Sequence, residues 1–194
     1  MGFAPDSFVL LGSSTWKGEE RMLVETTQLL RDKGVDCRLL LVPRHAERRN
    51  EIKPEIEHLP HCVRTEQKQA KPDNIVYLAD TTGELRMFTV IADLVFVGKS
   101  LFDNDGGQSP IDAAAAGIPI VYGNNMTNFK QICKSLESAG ASRKVYTAEE
   151  GIKQLITLAL DENERHSMSR CAVTWHANNE GATTKTLDVC TKLL

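Results

Sequence analysis

The chain has 194 residues, the size of about one domain. Its apolar and charged fractions, 41% and 25%, are ordinary for a globular protein and exclude disorder, collagen and coiled coil. With 23 basic and 26 acidic residues, its formal charge of −3 lacks the basic footprint of non-specific nucleic-acid binding, so we expect no nucleic-acid partner. No apolar run approaches the roughly 18 residues of a membrane span. Asp6 comes too early for a signal peptide.

The cysteines are spread singly along the chain, without a C-x-x-C pair, and they are Cys37, Cys62, Cys133, Cys171 and Cys190. This usage indicates reduced thiols in a cytoplasmic protein, and we expect all of them to be small buried residues. His58, His61 and Cys62 lie close together in sequence. No second cluster completes four zinc ligands, so we expect no metal site.

Short apolar runs alternate with segments of helical periodicity along the whole chain. The runs predict buried strands, and the periodic segments predict helices. In chain order we predict a strand at 8–11, a helix at 19–33, a strand at 38–42, a helix at 45–57, a weak strand at Val63, a strand at 75–78, a helix at 83–92, a strand at 94–97, a helix at 109–116, a strand at 118–122, a helix at 128–138, a strand at 144–146, and three helical stretches up to Leu194.

This alternation defines the expected fold class. Strands that are apolar throughout are typical of a parallel sheet covered on both faces. We therefore predict an α/β, Rossmann-like parallel sheet with helices on both faces, forming one domain over residues 1–194. The first strand begins within about eight residues of the start, as in a fragment of a longer protein.

Ligands of open α/β sheets bind beyond the carboxyl ends of the strands, so the loops there are the candidate sites. Two of these loops resemble nucleotide-binding motifs but do not match them. Gly98-Lys99-Ser100 resembles the end of a P-loop, but Asp93 stands where the first glycine is required. The loop at 12–18 is not G-x-G-x-x-G and leads into two glutamates, which repel phosphate. ATP and NAD binding are therefore not supported.

The strongest phosphate candidate is Gly106-Gly107-Gln108-Ser109, because two glycines let the backbone approach a ligand just before a predicted helix. The alternative is an ordinary loop before a well-capped helix. Ser109 and Asp112 fit a capping box, with Pro110 at the first helical position, so Asp112 is either a ligand contact or a cap. The residues alone leave both interpretations open.

The second candidate is Pro43-Arg44-His45, which ends a predicted strand and presents Arg44 and His45 at the same edge. Arginine pairs well with phosphate or carboxylate. The alternative is a solvated basic turn that continues into Arg48 and Arg49. Lys99 and Ser100 also end a strand, and an anionic ligand would explain all three loops together.

These residues resemble a known family, the 3-deoxy-D-manno-octulosonic acid (Kdo) transferases, in four motifs that occur in the family's order. The motifs are Gly12-Ser13-Ser14-Thr15 with Gly18-Glu19-Glu20, Pro43-Arg44-His45, Val97-Gly98-Lys99-Ser100-Leu101, and Gly106-Gly107-Gln108-Ser109-Pro110-Ile111-Asp112-Ala113-Ala114. The resemblance implies the C-terminal, donor-binding half of a GT-B glycosyltransferase. It implies that CMP-Kdo is held by Pro43, Arg44, His45, Lys99, Ser100, Gly106, Gly107, Gln108, Ser109 and Asp112. The chain departs from the family at Asp112, usually Glu, and at Trp16, where His is common.

The resemblance also implies a reaction. Kdo passes from CMP-Kdo to a lipid A precursor with inversion and without a metal or other cofactor. The acceptor half, with its membrane anchor and its glutamate base, has no counterpart here, so we expect no catalytic residue in this chain. The full-length protein would lie at the cytoplasmic face of the inner membrane. The rival interpretations are another GT-B enzyme, such as a UDP-sugar transferase or 2-epimerase, and a non-catalytic nucleotide-binding module.

Overall fold

The computed structural model describes residues 2–67, 69–181 and 190–191. Within these residues, seven strands form one parallel sheet. They are β1 (Phe8–Thr15), β2 (Cys37–Pro43), β3 (His61–Val63), β4 (Val76–Leu78), β5 (Leu94–Val97), β6 (Ile120–Gly123) and β7 (Ser142–Val145). The helices are α1 (Glu19–Asp32), α2 (Arg49–Ile56), α3 (Leu85–Thr89), α4 (Ile111–Ala115), α5 (Lys130–Ser138), α6 (Ala148–Leu160) and α7 (Glu162–Asn179). Short 3-10 turns at Ala46–Arg48 and Thr127–Phe129 precede α2 and α5.

The sheet has helices on both faces, as the sequence predicts. Leu10 and Leu39 belong to one apolar core, with residues of α1, α2 and α6. Their neighbours Leu11 and Leu40 point the other way, into a second core with residues of α3, α4 and α5. Because successive strand residues face opposite sides and both sides are covered, the central strands carry consecutive apolar residues, as at Leu39–Leu41 in β2.

The strand order is β3-β4-β2-β1-β5-β6-β7. From β1 the chain first builds outward through β2, and then returns to place β5 on the other side of β1. The order of the strands therefore reverses between β1 and β5. In open α/β sheets the crevice at such a reversal, beyond the carboxyl ends of the strands, is where ligands bind.

The first strand is longer than predicted. β1 continues to Thr15, so residues 12–15, expected to be a loop, are a strand. Gly12 pairs with Leu41 on one side and Phe96 on the other, and a Cβ on Gly12 would lie 2.7 Å from Leu23 Cδ1. The small residues of this segment thus serve close packing under α1 rather than a turn.

The helix after the glycines differs from the prediction and has only five residues, Ile111–Ala115. Its N-cap residue is Pro110, and within the described residues the carboxylate of Asp112 does not bond back to Ser109, so the predicted capping box is wrong. Ser109 Oγ instead accepts the backbone N–H of Ile111 at 3.3 Å. The third predicted helical stretch falls mostly on residues 182–189 and 192–194, outside the described part of the chain.

The expectation that every cysteine is buried is confirmed for only three of them. Cys37, Cys62 and Cys133 are buried, whereas Cys171 is half-buried and Cys190 is exposed. Burial raises the pKa of the Cys37 thiol to about 12 and that of Cys133 to about 11, so both remain protonated. No helix in the described residues combines the length and apolarity needed to cross a membrane.

Candidate nucleotide-sugar site

Four loops meet at the carboxyl edge of the sheet and are held together by hydrogen bonds. Arg44 N, after β2, donates to Thr15 O at 3.1 Å. Gly107 N donates to Lys99 O at 3.0 Å, which ties the glycine loop, residues 106–109, to the end of β5. Asn128 N donates to Gly106 O at 3.0 Å, which adds the loop after β6. The structure thus brings together the loops that carry the predicted site residues.

Glu19, the first residue of α1, is the buried anchor of this edge. Its carboxylate accepts four backbone N–H groups: those of Trp16, Lys99 and Ser100 at 2.8 Å and that of Leu101 at 3.1 Å. Burial raises the pKa of Glu19 to about 7, although these four donors oppose the rise. The carboxylate therefore occupies the anion-binding face of the backbone at 99–101.

This role of Glu19 was missed by the sequence interpretation, which treated the two glutamates after Gly18 as groups that repel phosphate. No local signal reveals it, because Lys99, Ser100 and Leu101 lie 80 to 82 residues further along the chain. Glu20, its neighbour, is likewise buried and accepts from Arg48 at 2.7 Å.

The basic residues of the edge fall into two groups. Arg48 is neutralised by Glu20 at 2.7 Å and Glu51 at 3.2 Å. Within the described part of the chain, the side chains of Arg44 and Lys99 form no ion pair and no hydrogen bond. The loops thus present two cations whose charges are not met by a carboxylate within the described residues.

An aromatic ring lies among these cations. Lys99 Nζ is 5.2 Å and Arg48 Cζ is 5.6 Å from the ring centroid of Trp16. The ring of His45 meets that of Trp16 edge-on, with centroids 5.0 Å apart. His45 Nδ1 is also 3.6 Å from Glu47 Oε1. Trp16 therefore connects the loops after β1, β2 and β5.

The glycine loop is tightly packed, and its own first two N–H groups are used internally. Gly106 N donates to Asp105 Oδ1 at 2.7 Å, and Gly107 N donates to Lys99 O. Gly107 has φ +68°, and a Cβ there would lie 2.3 Å from Met126 Sδ. Among the described residues, the backbone N–H groups that stay free for a ligand here are those of Gln108, Ser109, Asp112 and Ala113.

Three of the expected contact residues are buried or have polar groups that are engaged within the protein. Ser100 is fully buried, and its hydroxyl donates to Val97 O at 2.6 Å and accepts from Gly123 N at 2.8 Å. Pro43 is buried as the last residue of β2. Gly106 has its N–H and its C=O engaged within the protein. The hydroxyl of Ser100 and the backbone N–H and C=O of Gly106 are thus engaged within the protein.

Asp112 is half-exposed and does not cap α4. Its Oδ1 lies 3.3 Å from Nε of Arg86, a residue that is 84% exposed. The capping alternative is thereby removed, and the carboxylate remains accessible. The arrangement as a whole can bind an anion through cations and backbone N–H groups. In the described residues, no cluster of three or more His, Cys, Asp or Glu could hold a metal ion.

Solved structures share this fold. The C-terminal CMP-Kdo binding domain of WaaA from Acinetobacter baumannii superposes with a TM-score of 0.80, 24% identity, and coverage of 88% of this chain and 89% of that one. WaaG, a glycosyltransferase involved in lipopolysaccharide biosynthesis, gives a TM-score of 0.62 at 14% identity, over 90% of this chain and 44% of that one. These likenesses show the fold, which is that of one Rossmann-like half of the GT-B architecture.

Sequence comparison gives the family. No protein-family model matches the chain. A 3-deoxy-D-manno-octulosonic acid transferase of Bordetella pertussis is 33% identical over 186 residues, covering 93% of this chain and 43% of the relative. Over the part that it spans, the chain belongs to the Kdo transferase family, which confirms the resemblance of the four motifs. It spans less than half the length of the relatives that it matches.

Proposed function

We propose that the chain is the donor-binding domain of a Kdo transferase and binds CMP-Kdo at the carboxyl edge of its sheet. The observation that carries the proposal is the pair of uncompensated cations, Arg44 and Lys99, on loops that meet at this edge. CMP-Kdo has two anionic groups, a phosphate and a sugar carboxylate, which cations and N–H groups recognise. Similarity to Kdo transferases supports this donor over other nucleotide sugars.

The proposed contacts follow from the charged and polar groups that each residue leaves unpaired within the described part of the chain. Arg44, His45 and Lys99 bind the anionic groups, and the free N–H groups of Gln108 and Ser109 supplement them. Asp112 accepts hydrogen bonds from the ribose hydroxyls. Preorganised donors of this kind contribute roughly 3 kcal/mol each to stabilising developing charge. They act on the departing phosphate, so this domain assists the leaving group.

The proposed reaction is an inverting transfer that needs no metal or other cofactor. A base in a separate N-terminal acceptor domain deprotonates a hydroxyl of a lipid A precursor. The hydroxyl attacks the anomeric carbon of Kdo, and CMP leaves. The whole enzyme is proposed to work at the cytoplasmic face of the inner membrane. Because the proposed base belongs to the acceptor domain, we expect the purified chain to form no product from CMP-Kdo and a lipid A precursor.

Calorimetric titration of the chain with CMP and UDP, side by side, tests the proposal. We expect CMP to bind with a dissociation constant nearer millimolar than nanomolar, about −4 to −5 kcal/mol. Arg44→Ala should weaken CMP clearly, whereas Arg21→Ala, which removes an arginine that is 79% exposed and lies on α1, should not. Tenfold tighter binding of UDP or NAD than of CMP would contradict the assignment.

A further inference from the structure

Hydrogen bonds hold the backbone of Lys99, whereas within the described residues its ammonium group forms no ion pair. Its φ of +55° is a left-handed conformation that is rare for a residue with a side chain. Two hydrogen bonds hold this conformation. Lys99 N donates to the carboxylate of Glu19, and Lys99 O accepts the backbone N–H of Gly107. Strained residues that the surroundings hold in place are concentrated at functional sites.

The ammonium group of Lys99 faces the ring of Trp16 rather than a carboxylate. The distance from Nζ to the ring centroid, 5.2 Å, lies within the roughly 6 Å range of a cation–π contact. Arg48 also approaches the ring, but its charge is met by Glu20 and Glu51. Lys99 is thus the cation of this cluster whose charge stays available, because the ring holds the ammonium without neutralising it.

We propose that Trp16 is a positioning residue that sets the Lys99 ammonium for an anionic group of the ligand. A π face attracts the cation and leaves its N–H groups free to donate, whereas a carboxylate would consume them. This inference rests on the proposed function in one respect: the anionic group is taken to be the phosphate of a cytidine nucleotide.

A variant with a single tryptophan allows the fluorescence of Trp16 to be measured by itself. The protein has two tryptophans, and Trp175 lies in the core against Ser135. In Trp175→Phe the remaining emission comes from Trp16, and titration with CMP and with pyrophosphate should change it as Lys99 turns to the anion. If neither probe changes the emission, the inference is overturned. If only pyrophosphate changes it, the choice of a cytidine ligand fails and the role of Trp16 stands.

A double-mutant cycle separates positioning from a merely structural role, with whichever probe binds. Trp16→Leu should weaken binding about three- to fivefold, the scale of a cation–π contact, and Trp16→Phe should restore most of it. In a Lys99→Gln background, Trp16→Leu should have almost no further effect, because the residue acts through the ammonium. An undiminished loss in that background would overturn the proposal.

Discussion

The carboxylate of Glu19 accepts the backbone N–H of Ser100 at 2.8 Å, joining the start of α1 to the loop after β5. The contact spans 81 residues of sequence and lies in the buried floor of the proposed site. Through it, the backbone that presents Lys99 is set by the first residue of α1. The first two predictions concern this carboxylate.

Glu19→Gln should destabilise the protein while preserving its shape. Each carboxylate oxygen accepts two backbone N–H groups, but an amide nitrogen has no lone pair to offer, so two donors lose their acceptor. We expect the free energy of unfolding, measured in urea at pH 8 where the carboxylate is ionised, to fall by about 1–3 kcal/mol for each unsatisfied donor. Glu25→Gln, an exposed substitution on the same helix, should stay within about 0.5 kcal/mol. Equal effects of the two substitutions would contradict the anchoring role.

Stability should also depend on pH through Glu19. Its pKa of about 7 in the folded protein lies above its ordinary value of 4.5. Between these values the folded state binds a proton that the unfolded state does not, so stability falls as pH rises from 4.5 to 7. The pKa difference corresponds to about 3 kcal/mol, and Glu19→Gln should lack this component. Urea unfolding at several pH values measures it. A midpoint below pH 5 in the titration of the Glu19 carboxyl ¹³C signal would contradict the raised pKa.

Gly107→Ala should be much more harmful than Gly83→Ala, although both glycines have positive φ. A left-handed backbone costs an alanine about 1–2 kcal/mol. Gly83 has open space around it, whereas a Cβ on Gly107 meets Met126, which adds about 1–3 kcal/mol of overpacking. Thermal or urea unfolding of the two variants compares these costs directly. Similar losses for both would show that the glycine loop is not constrained by packing.

Asp112→Asn should weaken CMP about tenfold, a loss of about 1.4 kcal/mol, because the amide is a poorer acceptor for ribose hydroxyls. Stability should barely change, since the side chain does not cap α4 and its partner Arg86 is largely exposed. Arg86→Ala removes the same ion pair and should leave CMP binding unchanged. Calorimetry of the two variants tests the assignment. A structure with CMP whose ribose hydroxyls lie beyond hydrogen-bonding reach of Asp112 would refute it.

The elements of the fold could be predicted from the sequence wherever their signal was local. The apolar run at 94–97 is β5 with the predicted bounds, and the helix predicted at 19–33 is α1, Glu19–Asp32. The prediction failed where neighbours from elsewhere decide the conformation. β1 extends past its predicted end because β2 and β5 both pair with Gly12 and Ser13 and β2 pairs with Thr15, and α4 is short after its tightly packed glycines.

The sequence by itself determined the α/β class, the loops at the carboxyl edge and the family resemblance, because apolar periodicity and motif order are properties of the chain. Only the tertiary structure decided which groups remain free for a ligand. Arg48 is neutralised by a glutamate 28 residues earlier, while the ammonium of Lys99 lies over the face of Trp16. The hydroxyl of Ser100 is engaged in two buried hydrogen bonds. Whether a charge or a hydroxyl is available depends on its partners in space, and folding brings those partners from distant parts of the chain.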